Sequence, residues 1–133
     1  MGKPVAVAKG IALAFPDVCL TPTPAGTIPV PYPNIAQLDQ ASPVSAPGLL
    51  VGGDPVLLKS SVVATSTGDE AGTAGGVTSG SIKGKCEFTQ ASGSVLYGSD
   101  GQGIVRFMDT TSQNNGNATG VVLSAFPTVL IGD

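Results

Sequence analysis

The sequence has no histidine, only two cysteines and few charged residues. Without histidine the chain lacks the commonest general base and the commonest metal ligand, and a Ser-His-Asp arrangement is impossible. Cys19 and Cys86 lie too far apart for a zinc-ligand spacing. We expect both to be small buried apolar side chains, with a single disulfide as the alternative. Enzymatic hydrolysis is therefore disfavoured, and no cofactor is expected.

Charge is scarce, at 11% of residues, and the net charge is −3. Only six lysines and arginines are present and they form no basic cluster, which argues against nucleic acid as a partner. Hydrophobic residues make up 41% of the chain, too many for a disordered protein. A surface this poor in charge suggests that another protein covers part of it.

Targeting signals are also missing from the sequence. The apolar run from residue 4 to residue 15 is short and is interrupted by Lys9 and Gly10, so we expect no signal peptide. No run reaches the length of a transmembrane helix. The expected location is the bacterial cytoplasm.

Glycine and proline are abundant, with 19 and 11 residues. Together with the hydrophobic content, they predict one compact all-β domain over residues 1–133, with tight Pro/Gly-rich turns and little helix. Residues 28–34 are the stiffest stretch, because Pro29, Pro31 and Pro33 each fix φ and remove a backbone donor. This segment is excluded from helices and central strands, and either braces the fold or acts as a recognition ribbon.

Alternation of apolar and polar residues predicts several strands and hairpins. A first hairpin is expected to close at Lys9 and Gly10, and residues 16–47 are expected to wrap irregularly, with a helical turn within 34–40. The other expected elements are a short strand at 49–51, a hairpin of 56–58 with 61–64, a strand at 81–88, a hairpin of 94–97 with 104–108, and a strand at 128–131.

A weak triplication runs through this pattern. Three strand pairs, beginning near Val5, Val56 and Val95, are each followed at nearly equal spacing by an aspartate, namely Asp17, Asp69 and Asp109. Three similar units in one chain predict pseudo-threefold symmetry, which would fit a homotrimeric partner.

Several short motifs occur in a fixed order: residues 15–19 (FPDVC), 21–26 (TPTPAG), 28–34 (IPVPYPN), 65–73 (TSTGDEAGT), 82–85 (IKGK) and 105–109 (VRFMD), followed by Asn114 and Asn117. Together these motifs resemble PAAR-like proteins of the PIPY subgroup. The resemblance implies a small cone of short β-hairpins that caps the trimeric VgrG-like spike of a type VI secretion system or a related contractile injection machine. One cap would sit on each trimer, pair with its open strand edges and sharpen it for membrane piercing. The target membrane would be contacted only on firing, and the cap would be exported with the spike.

The resemblance also implies which residues bind the partner or define the fold: Pro29, Pro31, Tyr32, Pro33, Asn34, Thr67, Asp69, Arg106 and Asp109. Tyr32 and the prolines either contact the spike or only brace the fold. Arg106 and Asp109 either form an ion pair that fixes a turn or contact a partner. The neighbouring carboxylates of Asp69 and Glu70 are expected to cap a turn rather than catalyse.

Two departures from the family limit what is carried over. Stricter PAAR proteins bind a metal through histidine and cysteine, and this chain has no histidine, so no metal site is expected. The sequence ends at Asp133 without room for a toxin domain, so a cargo is expected to bind separately or to be absent. The alternative function is an adaptor that recruits a secreted effector to the spike.

Overall fold

The computed structural model of the chain describes residues 2–45 and 48–132, which are almost entirely β-structure. One short 3-10 helix, Leu38–Gln40, is present in this part of the chain. The strands are β1 Lys3–Val5, β2 Ile11–Thr23, β3 Gly26–Gln37, β4 Ser42–Val44, β5 Leu50–Val51, β6 Asp54–Pro55, β7 Leu57–Val63, β8 Gly75–Gly76, β9 Cys86–Phe88, β10 Leu96–Tyr97, β11 Gln102–Gly103, β12 Thr110–Gln113, β13 Ala118–Val122 and β14 Phe126–Ile131.

The largest sheet contains eight strands. Its order is β3-β2-β13-β12-β9-β7-β4, and β8 adds to β2 beyond the end of β13. The hairpin of β2 and β3 is its longest pair, with a register that runs from Ile11 opposite Gln37 to Thr23 opposite Gly26. Leu38, which follows β3, is fully buried.

The expectation of an irregular wrap over residues 16–47 is wrong, because most of this stretch lies in β2 and β3. Pro29, Pro31 and Pro33 have the same parity, so all three missing N–H groups lie on the side of β3 that faces away from β2. The residues between them, such as Val30 opposite Cys19, keep their donors for β2. The prolines therefore confine the segment to the edge of the sheet, which agrees with the predicted exclusion from central strands, while allowing a regular strand.

A closed ring of three segments lies where the N-terminal, middle and later parts of the chain meet. Ala6 donates its N–H to the carbonyl of Val105 at 3.0 Å, Val105 donates to Leu57 at 3.0 Å, and Leu57 donates to Ala6 at 3.1 Å. Bridges join Val5 with Arg106, Val7 with Val56, and Leu58 with Ile104. Each segment thus pairs with both of the others, which gives the backbone an approximate threefold arrangement.

The ring separates two apolar cores because side chains alternate along each extended segment. Ala6, Leu57 and Val105 belong to the first core, which lies against the large sheet together with Leu38 and Phe88. The second core consists of the residues on either side of those three, namely Val5, Val7, Val56, Leu58 and Ile104. The ring is therefore a shared wall between the cores.

Three separate two-stranded sheets pack on the second core. They are β1 with β14, β5 with β6, and β10 with β11. Each contributes half-buried apolar residues to that core, among them Val51, Tyr97 and Ile131. The predicted short strand at 49–51 and final strand at 128–131 correspond to β5 and β14. Of the predicted third hairpin only the first strand is found, as β10, because β10 pairs with Gln102–Gly103 in the expected loop and Ile104 pairs with Leu58 instead.

Other predicted hairpins are wrong. Residues 4–8 do not pair with 11–15, because β1 pairs with β14 and β2 with β3 and β13. Residues 56–64 form no hairpin, since β7 continues through Lys59 and Ser60. Within this strand the Oγ of Ser61 accepts the backbone N–H of Leu58 at 3.0 Å. The strand predicted at 81–88 is reduced to β9, and the predicted helical turn to Leu38–Gln40.

The all-β fold class with little helix is confirmed, although the β2–β3 hairpin is much longer than the short hairpins expected. The third repeat begins at Ile104 rather than near Val95, because Ile104 occupies the ring position equivalent to Val5 and Val56. Cys19 and Cys86 are buried free thiols, as predicted. No helix within residues 2–45 and 48–132 has the length and apolar character needed to cross a membrane.

Candidate functional site

On the far side of the first core lies a group of polar side chains that we call the amide–carboxyl cluster. It consists of Asp17, Cys19, Asn34, Ser66, Asp69, Asn114 and Asn117. Apart from Asn117, which is half-buried, these residues are fully buried. Buried polar groups of this density require nearly complete hydrogen bonding to be tolerated.

Four parts of the chain supply the cluster. Strand β2 directs Asp17 and Cys19 inward, since they alternate with half-buried Val18. Asn34 comes from β3, where the prolines before it occupy the opposite, exposed face. Asp69 lies in the turn after β7, and the two remaining asparagines lie in the turn between β12 and β13.

Asparagine amides supply most of the donors. The Nδ2 of Asn34 lies 3.1 Å from Asp17, 2.9 Å from the hydroxyl of Ser66 and 3.3 Å from Asp69. The orientation of this amide is fixed because its Oδ1 accepts from Gln113 at 2.9 Å. Its single NH2 group therefore links β3 to β2 and to the turn after β7.

The other two asparagines also donate to Asp17. Asn114 donates to Asp17 at 3.2 Å and to the carbonyl of Ser81 at 2.8 Å. Asn117 donates to Asp17 and to the carbonyl of Val18 at 3.0 Å, and its Oδ1 accepts the N–H of Thr78 at 2.8 Å. The carboxylate of Asp17 is thus the main acceptor of the cluster.

Asp17 and Asp69 form a hydrogen-bonded carboxyl pair. Burial and the hydrogen bond to Asp17 raise the pKa of Asp69 to about 6. Burial alone would raise the pKa of Asp17 as well, but hydrogen bonds from Asp69, Asn117, Asn114 and Cys19 bring it below its ordinary value. The arrangement fits one proton held on Asp69 and donated to an ionised Asp17, because two adjacent buried carboxylates resist ionising together.

The ligand atoms of Asp17, Cys19 and Asp69 lie within 4.8 Å of one another, close enough to face a single metal ion. The amide N–H groups of Asn34, Asn114 and Asn117 point at these same acceptor atoms. A cation would meet the positive ends of these donors, and burial together with the nearby carboxylates raises the pKa of the Cys19 thiol to about 12. The residues present therefore fit a shared proton and do not fit a metal ion.

Catalytic arrangements find no support in the same residues. Ser66 donates its hydroxyl to the carbonyl of Gly84 at 2.7 Å. Asp69 accepts the N–H of Lys83 at 3.0 Å, and Glu70 accepts the N–H of Gly68 at 2.8 Å. These two carboxylates bind different turn amides, as expected of capping groups.

The proline-rich edge is the second feature that the sequence singled out. Pro29, Pro31 and Pro33 are all exposed, whereas Tyr32 is half-buried and its hydroxyl lies 2.7 Å from that of Thr21. Farther along β3, Ile35 and Thr67 exchange backbone hydrogen bonds of 2.7 and 2.9 Å, which pair the outer edge locally. Tyr32 thus contacts β2 through Thr21, and Thr67 pairs with the outer edge of β3.

Arg106 and Asp109 form a buried, bidentate ion pair. The Nε and one terminal nitrogen of Arg106 lie 3.0 and 3.1 Å from the two carboxylate oxygens of Asp109. Lys3 adds a second cation at 2.8 Å from Asp109. The pair borders the second core, where Arg106 occupies a ring position equivalent to Val7 and Leu58.

The predicted site residues therefore fall in three places. Asn34 and Asp69 meet in the amide–carboxyl cluster, the prolines lie along an exposed edge, and Arg106 with Asp109 lies near the ring. Sequence reasoning did not assign a role to Asp17, Asn114, Asn117 or Lys3. Asp17 follows Val5, and Asp69 follows Val56, at nearly the same spacing as Asn117 follows Ile104. This spacing would have identified Asn117 as the residue of the third repeat that corresponds to the two aspartates.

Comparison with known proteins provides an independent line of evidence. A family model described as the toxin PAAR-like domain matches residues 10–120. The DNase toxin Tse7 of Pseudomonas aeruginosa is 39% identical over 120 residues, which cover 84% of this chain and 30% of the toxin. The chain thus spans about a third of the length of this curated relative. No solved structure matches.

Proposed function

Because the chain belongs to the toxin PAAR-like domain family, we propose that it caps the end of a trimeric VgrG-like spike in a contractile injection machine. One cap per trimer sharpens the spike for piercing. The observation that supports this most directly is the cyclic hydrogen bonding of Ala6, Leu57 and Val105. A single chain that repeats its backbone three times around an axis can present similar contacts to three identical subunits.

The mechanism is mechanical. The three two-stranded sheets beside the second core offer strand edges that could extend strands of a trimer. At the other end, hydrogen bonds of the amide–carboxyl cluster join four parts of the chain, so force applied to the β2–β3 hairpin is distributed into the large sheet. No chemical step is required of this domain.

The test is the stoichiometry of a complex. The purified chain is mixed with each trimeric VgrG-like spike protein of the same genome, and the mass of any complex is measured by native mass spectrometry. We expect one cap per three spike chains. Three caps per trimer would contradict the proposal, and a spike truncated at its distal strands serves as the control.

A second candidate function is effector delivery, favoured by the similarity to a DNase toxin. In this version the domain attaches one toxic cargo to the spike, whether that cargo is fused or bound separately. Deleting the gene distinguishes the two: loss of injection of every effector supports a structural cap, while loss of a single effector supports an adaptor. We place the protein in the bacterial cytoplasm before assembly, which fractionation of cells with and without assembled machines would test.

A further inference from the structure

The three small sheets share a sequence pattern. Each contains an apolar triplet with leucine at its centre, and the triplets are Leu49-Leu50-Val51, Val95-Leu96-Tyr97 and Val129-Leu130-Ile131. The outer residues of every triplet pack against the second core. The central leucines point away from it and are 51%, 53% and 60% exposed. Val56-Leu57-Leu58 in the ring shows the pattern too, but there the central leucine is fully buried. Three equivalent leucines are thus left in solvent at the same place in three units.

The small sheets also touch one another in a cycle. The ring of Phe126 in β14 fills the space where a side chain on Gly52, in the turn between β5 and β6, would lie. The hydroxyl of Tyr97 in β10 donates to the carbonyl of Ser45 at 2.8 Å, just before the β5 unit.

The cycle closes where the hydroxyl of Ser92, before β10, donates to the carbonyl of Gly132, after β14, at 2.6 Å. The second core is therefore enclosed by three walls in contact, and the walls carry Leu50, Leu96 and Leu130 on their outer sides.

We propose that these three leucines form the docking face of the domain and that its occupant is a threefold-symmetric protein, with one leucine contacting each subunit. This inference rests on the proposed function and assigns it a surface. A single exposed leucine is normal on a protein surface, but three at equivalent positions follow the symmetry of a trimer, and burial against a symmetric partner accounts for all three at once.

The other well-exposed large apolar residues among those described do not fit such a partner. Phe15 and Ile28 lie on the β2–β3 hairpin and Val77 nearby, while Met108 and Leu123 lie on other segments. This hairpin occurs only once among the described residues, so it could contact one subunit of a trimer but not three equivalently. The threefold repetition of the small sheets decides between the surfaces.

The test uses the full chain and the trimeric VgrG-like spike protein that it binds. Leu50→Asp, Leu96→Asp and Leu130→Asp are made singly and together, and Phe15→Asp with Ile28→Asp is the matched control on the hairpin. We expect each single leucine variant to weaken Kd by at least about tenfold and the triple variant by more than about 100-fold, while the control binds like the wild type. Circular dichroism melts confirm that the variants fold.

The outcomes separate the two proposals. If the wild-type chain binds none of the spike trimers, the proposed function fails. If it binds and the triple variant binds equally well, the docking face is wrong while the function stands. An effect confined to one leucine would overturn the threefold contact, and so would a self-association of the wild-type chain that the leucine variants abolish.

Discussion

The two ends of the molecule, on either side of the ring of Ala6, Leu57 and Val105, differ in how far their side chains follow the threefold repeat. At the end with the three small sheets, side chains repeat: five of the six inward positions of the ring are apolar, and Arg106 is the exception. At the other end the backbone spacing also repeats, but the side chains are Asp17, Asp69 and amides with unequal partners.

The difference follows from the physics of the interactions. Apolar contacts are non-directional, so equivalent positions can carry similar residues. Hydrogen bonds need a donor for every acceptor, and three equivalent buried carboxylates would repel one another. Asn117 has the spacing from Ile104 that Asp69 has from Val56, yet it carries an amide in place of a carboxylate, and Asp17 accepts its N–H. Symmetry is therefore kept by packing and broken by polar pairing.

The largest effect on stability is expected at the ion pair of Arg106, which is the charged residue among the otherwise apolar ring positions. Asp109→Ala would leave Arg106 buried beside the second core with its carboxylate partner removed, and we expect the free energy of unfolding to fall by about 3–5 kcal/mol. Glu87→Ala is the control, because the pair of Glu87 with Lys85 is half-exposed and spans 3.7 Å; its loss should cost less than about 1 kcal/mol. Equal losses in urea denaturation would show that Arg106 is not held by Asp109.

The second prediction concerns the wall that both ends share. Leu57 is fully buried and contacts the first core, so Leu57→Ala should lower the free energy of unfolding by about 3 kcal/mol. Leu50→Ala, on an exposed leucine of a small sheet, should change it by less than about 0.5 kcal/mol. Denaturation of both variants with the same probe tests the contrast. Comparable losses would mean that Leu50 is structural, which would weaken its assignment to docking.

The sequence alone predicted some features of the fold and failed for others. Residue chemistry predicted the all-β class, the exclusion of Pro29, Pro31 and Pro33 from central strands, and a repeat that includes Val5 and Val56. It failed for partners distant in sequence: β1 pairs with β14, and Lys3 binds Asp109. Alternation along a strand shows which face is buried but contains no information on which strand lies beside it.

The amide–carboxyl cluster was only partly predictable, because the sequence does not show which segments lie beside one another. Asn34 and Asp69 were selected from motifs that resemble a family, yet their mutual contact was not, because it requires β3 and the turn after β7 to meet. The role of Asn117 was hidden by an incorrect third repeat. Placing the repeat at Ile104 would have aligned Asn117 with the two aspartates.

The third prediction concerns how the free energy of unfolding depends on pH through the carboxyl pair of Asp17 and Asp69. The raised pKa of Asp69 stabilises the fold below its unfolded pKa of about 4, and this contribution is lost as pH rises through about 6. The lowered pKa of Asp17 acts in the opposite direction, stabilising above about 4 and losing its contribution as pH falls through the folded value. We expect the free energy of unfolding to be highest near pH 4, to fall by roughly 3 kcal/mol as pH rises to just above 6, and to change little from there to pH 8.

Asp69→Asn is the matched variant for this titration. Its side-chain oxygen can still accept the N–H of Lys83, and its NH2 group can replace the shared proton by donating to Asp17. The fall between pH 4 and pH 8 should then largely disappear, and the variant should be more stable than the wild type at pH 8. Parallel urea titrations at both pH values measure this. An unchanged fall would show that the carboxyl pair does not control the pH dependence.

The smallest effect is expected at the proline-rich edge. Pro31→Ala should lower the free energy of unfolding by only about 0.5 kcal/mol, because it adds freedom mainly to the unfolded chain. It also restores an outward N–H on β3, where a second chain could pair, so we expect concentration-dependent association in analytical ultracentrifugation. Pro24→Ala, in the turn between β2 and β3, loses similar rigidity without adding a donor to a strand edge and should stay monomeric. If Pro31→Ala also stays monomeric but loses a spike or effector contact, the prolines bind a partner, and the hairpin would take part in docking together with the three leucines.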